Sequence, residues 1–128
     1  MKPPCTIAEY DERCALLVSR ALNDVLDERV RQIVTLGCTP ELDADLRADG
    51  SLALAGAAYA VSGGSTMRGG TEYQHAAPAW WPWRDGPIAE RWKPRDARRD
   101  LVRAAALILA QIEVIDRTAG DAGDEDVS

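Results

Sequence analysis

Apolar residues recur at steps of three and four along most of this chain, which is the period of a helix and not of a strand. Ile7, Tyr10, Cys14, Leu17 and Ala21 fall on one face of a helix predicted from Thr6 to about Leu36. Thr6 and Glu9 have capping-box spacing, in which hydroxyl and carboxylate satisfy free backbone N–H groups at a helix start. Asn23-Asp24 is a predicted interruption, after which Val25, Leu26, Val30, Ile33 and Val34 continue the apolar face. Gly37 suits the left-handed position that closes a helix.

A polar connection from Cys38 to Gly50 leads to Ser51, the predicted cap of a second helix that ends at Val61 before Ser62-Gly63-Gly64. Its interior is nearly all small, and Gly56 costs ~1 kcal/mol relative to Ala in a helix. Such residues let another backbone come close, so this helix is expected at the centre of the fold. Residues 63–96 read as a long irregular loop rich in Gly, Pro and Trp, and long connections are usually functional or disordered. Gly63-Gly64 and Gly69-Gly70 lack the following Gly-Lys-Ser/Thr of a phosphate loop and mark flexibility. A third helix starts at Pro94 or Asp96 and lasts to about Thr118, with Leu101, Ala105, Ile108, Ile112 and Ile115 as its buried stripe. The reading is a mainly α fold of about three principal helices in one domain, 1–118, then a disordered acidic tail, 119–128.

Composition narrows this further. Phe is absent and there are four Trp, so the core must combine small-residue contacts with a few aromatic anchors. The net charge is −6, but Asp121, Asp124, Glu125 and Asp126 supply four of the negative charges. The folded part is therefore close to −2 (−6 plus 4), and a mildly acidic domain lacks the concentrated basic face needed to coat duplex nucleic acid. Cys5, Cys14 and Cys38 are odd in number and lack metal-type spacing, as expected of reduced thiols in a cytoplasm. The start has no signal-peptide pattern and no stretch reaches ~18 apolar residues, so no membrane association is expected. Three helices of this length leave an apolar flank, and a homodimer through the second or third helix is the expected cover.

Candidate chemistry concentrates between residues 80 and 99. Trp80, Trp83, Arg84 and Trp92 are followed by Lys93, Arg95, Arg98 and Arg99 at the start of the third helix. Aromatic faces stack on bases, and guanidinium groups beside a helix N-terminus attract phosphate, a combination suited to a nucleotide. The competing reading is that the tryptophans pin the loop to the helices, which is favoured for Trp81 and Trp92. For Trp80 and Trp83 the two readings balance, since consecutive aromatics cannot all face inward. Arg20, on the first helix, is expected to lie away from this surface. His75, the one histidine, has no nucleophile context and reads as structural or solvent-facing. Glu9 with Glu12 and Glu113 with Asp116 have the helical spacing of Mg²⁺-binding pairs, but chance supplies such pairs in a chain with 21 acids. Glu41, Asp43 and Asp45 lack the glycine and closing glutamate of a calcium loop. No catalytic residue, metal or cofactor is expected.

Four segments carry a resemblance. They are Asp27-Glu28-Arg29-Val30-Arg31-Gln32-Ile33, Gly37-Cys38-Thr39-Pro40-Glu41-Leu42-Asp43, and Asp49-Gly50-Ser51-Leu52 with Ala57-Ala58-Tyr59-Ala60. The last, the most specific, runs from Trp81-Pro82-Trp83 through Trp92-Lys93-Pro94 to Arg98-Arg99-Asp100-Leu101-Val102-Arg103-Ala104-Ala105-Ala106-Leu107-Ile108. Together they resemble a family of small uncharacterised proteins encoded by phages and prophages. The family usually has Trp where Cys38 stands, and histidines in the acidic stretch where this chain has Leu42 and Leu46. The resemblance implies a helical fold in a host bacterial cytoplasm and supplies no activity. With no complete catalytic constellation, the expected role is a phage accessory protein that counters bacterial immunity. It would bind a host defence protein, as anti-CRISPR proteins do, or sequester a nucleotide signal. The alternatives are a MazG-like Mg²⁺-dependent nucleotide pyrophosphatase and a plain oligomerising helical protein.

Overall fold

A computed structural model of the chain describes residues 19–36, 49–84 and 92–121. Among these the fold is helical without strands: α1 (Arg20–Leu36), α2 (Ser51–Met67) and α3 (Ala97–Asp121). α2 and α1 both pack on α3 and hardly on each other, so α3, not the small-residue α2, is the central helix. No described helix is long and apolar enough to cross a membrane. The expected helix from Thr6, the Gly37 stop and the acidic connection fall outside the described residues, as does the tail beyond residue 121.

α1 runs unbroken through Asn23-Asp24, so the predicted interruption does not occur. Asp24 instead points an acceptor at Arg98 of α3. α2 begins one residue after Gly50, whose left-handed φ of 88° turns the chain into the helix. The predicted Ser51 cap is corrected, because the Asp49 carboxylate accepts the Ser51 N–H at 3.0 Å. α2 also continues past Val61 to Met67, and Gly63-Gly64 lie inside it. The reason is tertiary. Gly63 sits where an added Cβ would be 3.0 Å from the Ala97 carbonyl, and the Ser62 hydroxyl donates to Asp100 at 3.1 Å. The helix ends in a Schellman arrangement, with Gly69 at φ 88° and the Gly70 N–H reaching the Ser65 carbonyl at 2.8 Å. The irregular connection is correspondingly shorter than expected.

α3 starts at Ala97, with the Asp96 carboxylate accepting the Arg99 N–H at 3.0 Å in N-cap fashion, and extends beyond Thr118. Its predicted buried stripe is wrong. Leu101, Ile108, Ile112 and Ile115 are 39–57% exposed, and the buried positions are Asp100, Ala104, Ala106, Leu107, Ala110, Gln111 and Val114. The physical reason is size. Ala104, Ala110 and Gly56 allow α2 and α3 to approach closely, and Leu52, Leu107 and Val114 fill the centre of the contact while Ile108 lies against Gly56 at its rim. α1 inverts expectation in the same way. Leu26, Val30 and Val34 are exposed, whereas Arg29 and Gln32 are buried.

The other side of the α2–α3 pair is closed by aromatics. Tyr59 stacks on Trp92 at 4.6 Å between centroids, and Trp81 meets Tyr59, Trp83 and Trp92 edge-on. Trp81 is buried with Leu52, Ala55 and Leu107, while Trp83 and Trp92 pack against that core. Each such ring pair adds about 0.5–1.5 kcal/mol beyond area burial, so four pairs fasten the connection firmly.

Candidate functional site

Two helical faces meet at an arginine-rich cleft. α1 contributes Arg20, Asp24, Asp27, Glu28 and Arg31, which helical spacing places on one side of that helix. The connection just before α3 contributes Arg95, and the first turns of α3 contribute Arg98, Arg99, Val102 and Arg103. The cavity holds about 480 Å³ and opens to solvent. Six guanidinium groups face three carboxylates in its lining, a formal surplus of three positive charges on an acidic chain.

The carboxylates orient the arginines. Asp24 accepts from Arg98 at 2.8 Å and lies 3.7 Å from Arg20. Glu28 holds Arg31 through two contacts, at 2.9 and 2.7 Å. Burial works against the ionised Glu28, but hydrogen bonds and charge from Arg31, with Arg103 and Gln32 adding to them, hold its carboxyl below the ordinary range. Arg103 donates to the Lys93 carbonyl at 2.7 Å and lies 4.8 Å from the centre of the Tyr59 ring. Arg99 pairs with Asp96 at 3.4 Å. The Arg95 guanidinium has no partner among the described residues; only its backbone N–H is used, by Asp100 at 2.7 Å. Planar guanidinium forks match phosphate oxygens in pairs, so a partly neutralised set of this kind can take a multiply charged phosphate ligand.

The eight residues singled out in sequence do not form one surface. Arg95, Arg98 and Arg99 line the cleft, and Trp80, Trp83, Arg84 and Trp92 do not. Trp92 is a packing residue, its indole N–H donating to the Tyr73 carbonyl at 2.8 Å. Trp83 packs edge-on against Trp81, and Trp80 alone of the four is exposed, at 45%. Arg84 folds back on the Pro78 and Ala79 carbonyls. Lys93 is fixed by its backbone, with its N–H on the Tyr59 hydroxyl at 3.1 Å. The stacking half of the expected site is therefore not assembled beside the arginines.

Three cleft arginines escaped the sequence reading: Arg20, Arg31 and Arg103. Arg20 is in the cleft, contrary to its expected remoteness. The signal was present as a charged stripe, since Arg20, Asp24, Asp27 and Arg31 repeat at four, three and four residues. His75 is exposed. Glu113 is engaged by Arg29 at 2.7 Å, and the described residues contain no group of three or more His, Cys, Asp or Glu placed to hold a metal. Glu9, Glu12 and the Glu41–Asp45 run lie outside the described residues.

Comparison of the chain with protein families, with curated proteins and with solved structures returns no match.

Proposed function

We propose that this protein is a non-enzymatic binder of a small phosphorylated ligand of the nucleotide class, held in the α1–α3 cleft. In the phage setting implied by its resemblance, binding would remove a nucleotide signal on which host immunity depends. The observation that carries this reading is the convergence of six arginines on one cavity of about 480 Å³. That size falls within the ~300–1,000 Å³ range of small-molecule pockets. A protein partner is the less favoured target, because a concave charged cavity suits a compact anion better than a broad apolar contact.

Calorimetric titration with cyclic dinucleotides, cyclic mononucleotides and nucleoside triphosphates tests the reading. At least one class should bind saturably and more weakly as salt rises. Arg95→Ala should lower that affinity roughly tenfold or more, as loss of a paired charge-assisted contact would. This variant leaves no structural ion pair broken, so its circular dichroism should match the parent. If no nucleotide bound, or if Arg95→Ala bound as tightly as the parent, the cleft would not be a nucleotide site.

A further inference from the structure

The arginines of the α1–α3 cleft are not spread evenly. Asp24 accepts from Arg98 at 2.8 Å and lies 3.7 Å from Arg20, which gathers two guanidinium groups about one carboxylate. Glu28 holds Arg31 at 2.7 Å, and the charge of Arg103 also bears on it, which makes a second group of the same composition. Two guanidinium groups against one carboxylate leave each group a formal surplus of one positive charge. Asp24 and Glu28 are four residues apart on α1, and Arg98 and Arg103 are five apart on α3. At 1.5 Å per residue, the two positive ends are separated by about 6–7.5 Å along the helices. Arg98 and Arg103 each commit one terminal nitrogen, to Asp24 and to the Lys93 carbonyl, so most N–H donors of both remain for a ligand.

The described lining offers little to tell one base from another. Val102 is its one uncharged residue, and it contains no aromatic ring. Trp81, Trp83 and Trp92 are committed to the cluster around Tyr59, and Trp80 stands outside the cleft. A base laid on a guanidinium plane gains stacking energy, but every base has a π-face, so this contact does not discriminate. Asp27, the lining carboxylate without an arginine partner among the described residues, is exposed. Its hydrogen bonds to a base would compete with water and separate bases only weakly. We infer that the cleft selects its ligand by two phosphate groups, one at each end, and is indifferent to the base they carry. The inference rests on the nucleotide reading above and names what that site recognises. A nucleoside triphosphate and a cyclic dinucleotide share this chemistry, whereas a cyclic mononucleotide has one phosphate and fills one end.

Calorimetry of the full chain against ATP, GTP, cyclic di-AMP, cyclic di-GMP and cyclic AMP tests this. Whichever two-phosphate class binds more tightly identifies the carrier. Within that class the adenine and guanine forms should agree within about fivefold, because stacking tolerates any base. Cyclic AMP should bind at least roughly tenfold more weakly, having lost one set of charge-assisted contacts. Arg20→Gln and Arg31→Gln each remove an exposed guanidinium, from opposite ends of the cleft. Each should weaken the two-phosphate ligand by about fivefold or more, with an unchanged circular dichroism spectrum. A larger preference for one base would overturn the inference while leaving the nucleotide site in place. A smaller gap to cyclic AMP would do the same, and so would either variant binding as tightly as the parent. Binding by none of the five compounds would overturn the nucleotide reading, and this inference with it.

Discussion

Asp100 shows how one side chain ties three segments together. It is fully buried, accepts the Arg95 N–H at 2.7 Å and the Ser62 hydroxyl at 3.1 Å, and so fixes the connection, α2 and α3 to each other. Burial pushes its carboxyl above the ordinary range, against the pull of the Arg95 N–H, the Ser62 hydroxyl and the Arg103 charge. The folded state therefore holds this proton more tightly than the unfolded chain does. Its stabilising contribution is complete below the unfolded value and is lost as pH rises through the folded one. Asp100→Asn keeps an acceptor for the Arg95 N–H and a donor for the Ser62 oxygen without the buried charge. Urea denaturation should show the difference between D100N and the parent moving in favour of D100N as pH rises from about 4 to 7. Movement the other way would mean that the ionised carboxylate is the stabilising form. Asp100→Ala leaves both donors without an acceptor and should cost about 1–3 kcal/mol near pH 4, less as pH rises, because the variant lacks the titrating carboxyl.

Between elements, the α2–α3 contact is set by what is missing from Gly56. A Cβ there would lie 2.9 Å from the Ile108 Cγ1 and 3.0 Å from the Ala104 carbonyl, so Gly56→Ala must push backbone apart. Overpacking of this kind costs about 1–3 kcal/mol, more than the helix-propensity gain of about 1 kcal/mol from replacing glycine. Gly64, two turns on, has nothing within 4 Å of the same position. Gly64→Ala should therefore stabilise by about 0.5–1 kcal/mol, since only the propensity change remains. Thermal denaturation of the two variants should move in opposite directions. Equal shifts would mean that the helices are not packed as tightly at Gly56 as the distances require.

At the scale of the molecule, the three helices are not held equally. α2 and α3 share the buried alanines, Leu52, Leu107 and Val114, and the aromatic cluster. α1 meets α3 through polar pairs: Arg29 with Glu113 at 2.7 Å and Arg98 with Asp24 at 2.8 Å. Arg29 is buried while Glu113 is partly exposed, so the cost of desolvating the guanidinium offsets much of what that pair gains, and the Arg98 pair is exposed and screened by salt. Native-state hydrogen exchange should thus rank α1 amides well below those of α2 and α3, and added salt should widen the gap. Uniform protection across the three helices would contradict this division. It matters for the cleft, because α1 supplies half of its lining, and an anion bridging the two helices would be expected to raise α1 protection.

The helical class of the fold and the three helices were legible from residue order alone. Helical periodicity, Asp96 at a helix start and the small residues of α2 are local properties, and they persist whatever packs against them. The Arg95, Arg98 and Arg99 cluster was legible too, because it is contiguous. Tertiary structure alone decided which faces turn inward. Leu101, Ile108 and Ile115 form the most apolar stripe of α3, yet α2 docks on the neighbouring face, where Ala104, Leu107, Ala110 and Val114 meet Gly56, Leu52 and Ala55. Spacing predicts that a helix has a buried face; it does not predict whether that face meets its own chain. The continuation of α2 through Ser62-Gly63-Gly64 was hidden for a similar reason. Glycine propensity says stop, while the approach of Ala97 and the hydrogen bond to Asp100 hold the helix open to Met67. The cleft was half visible, since Arg20, Arg31 and Arg103 join it only when helices distant in sequence are laid side by side.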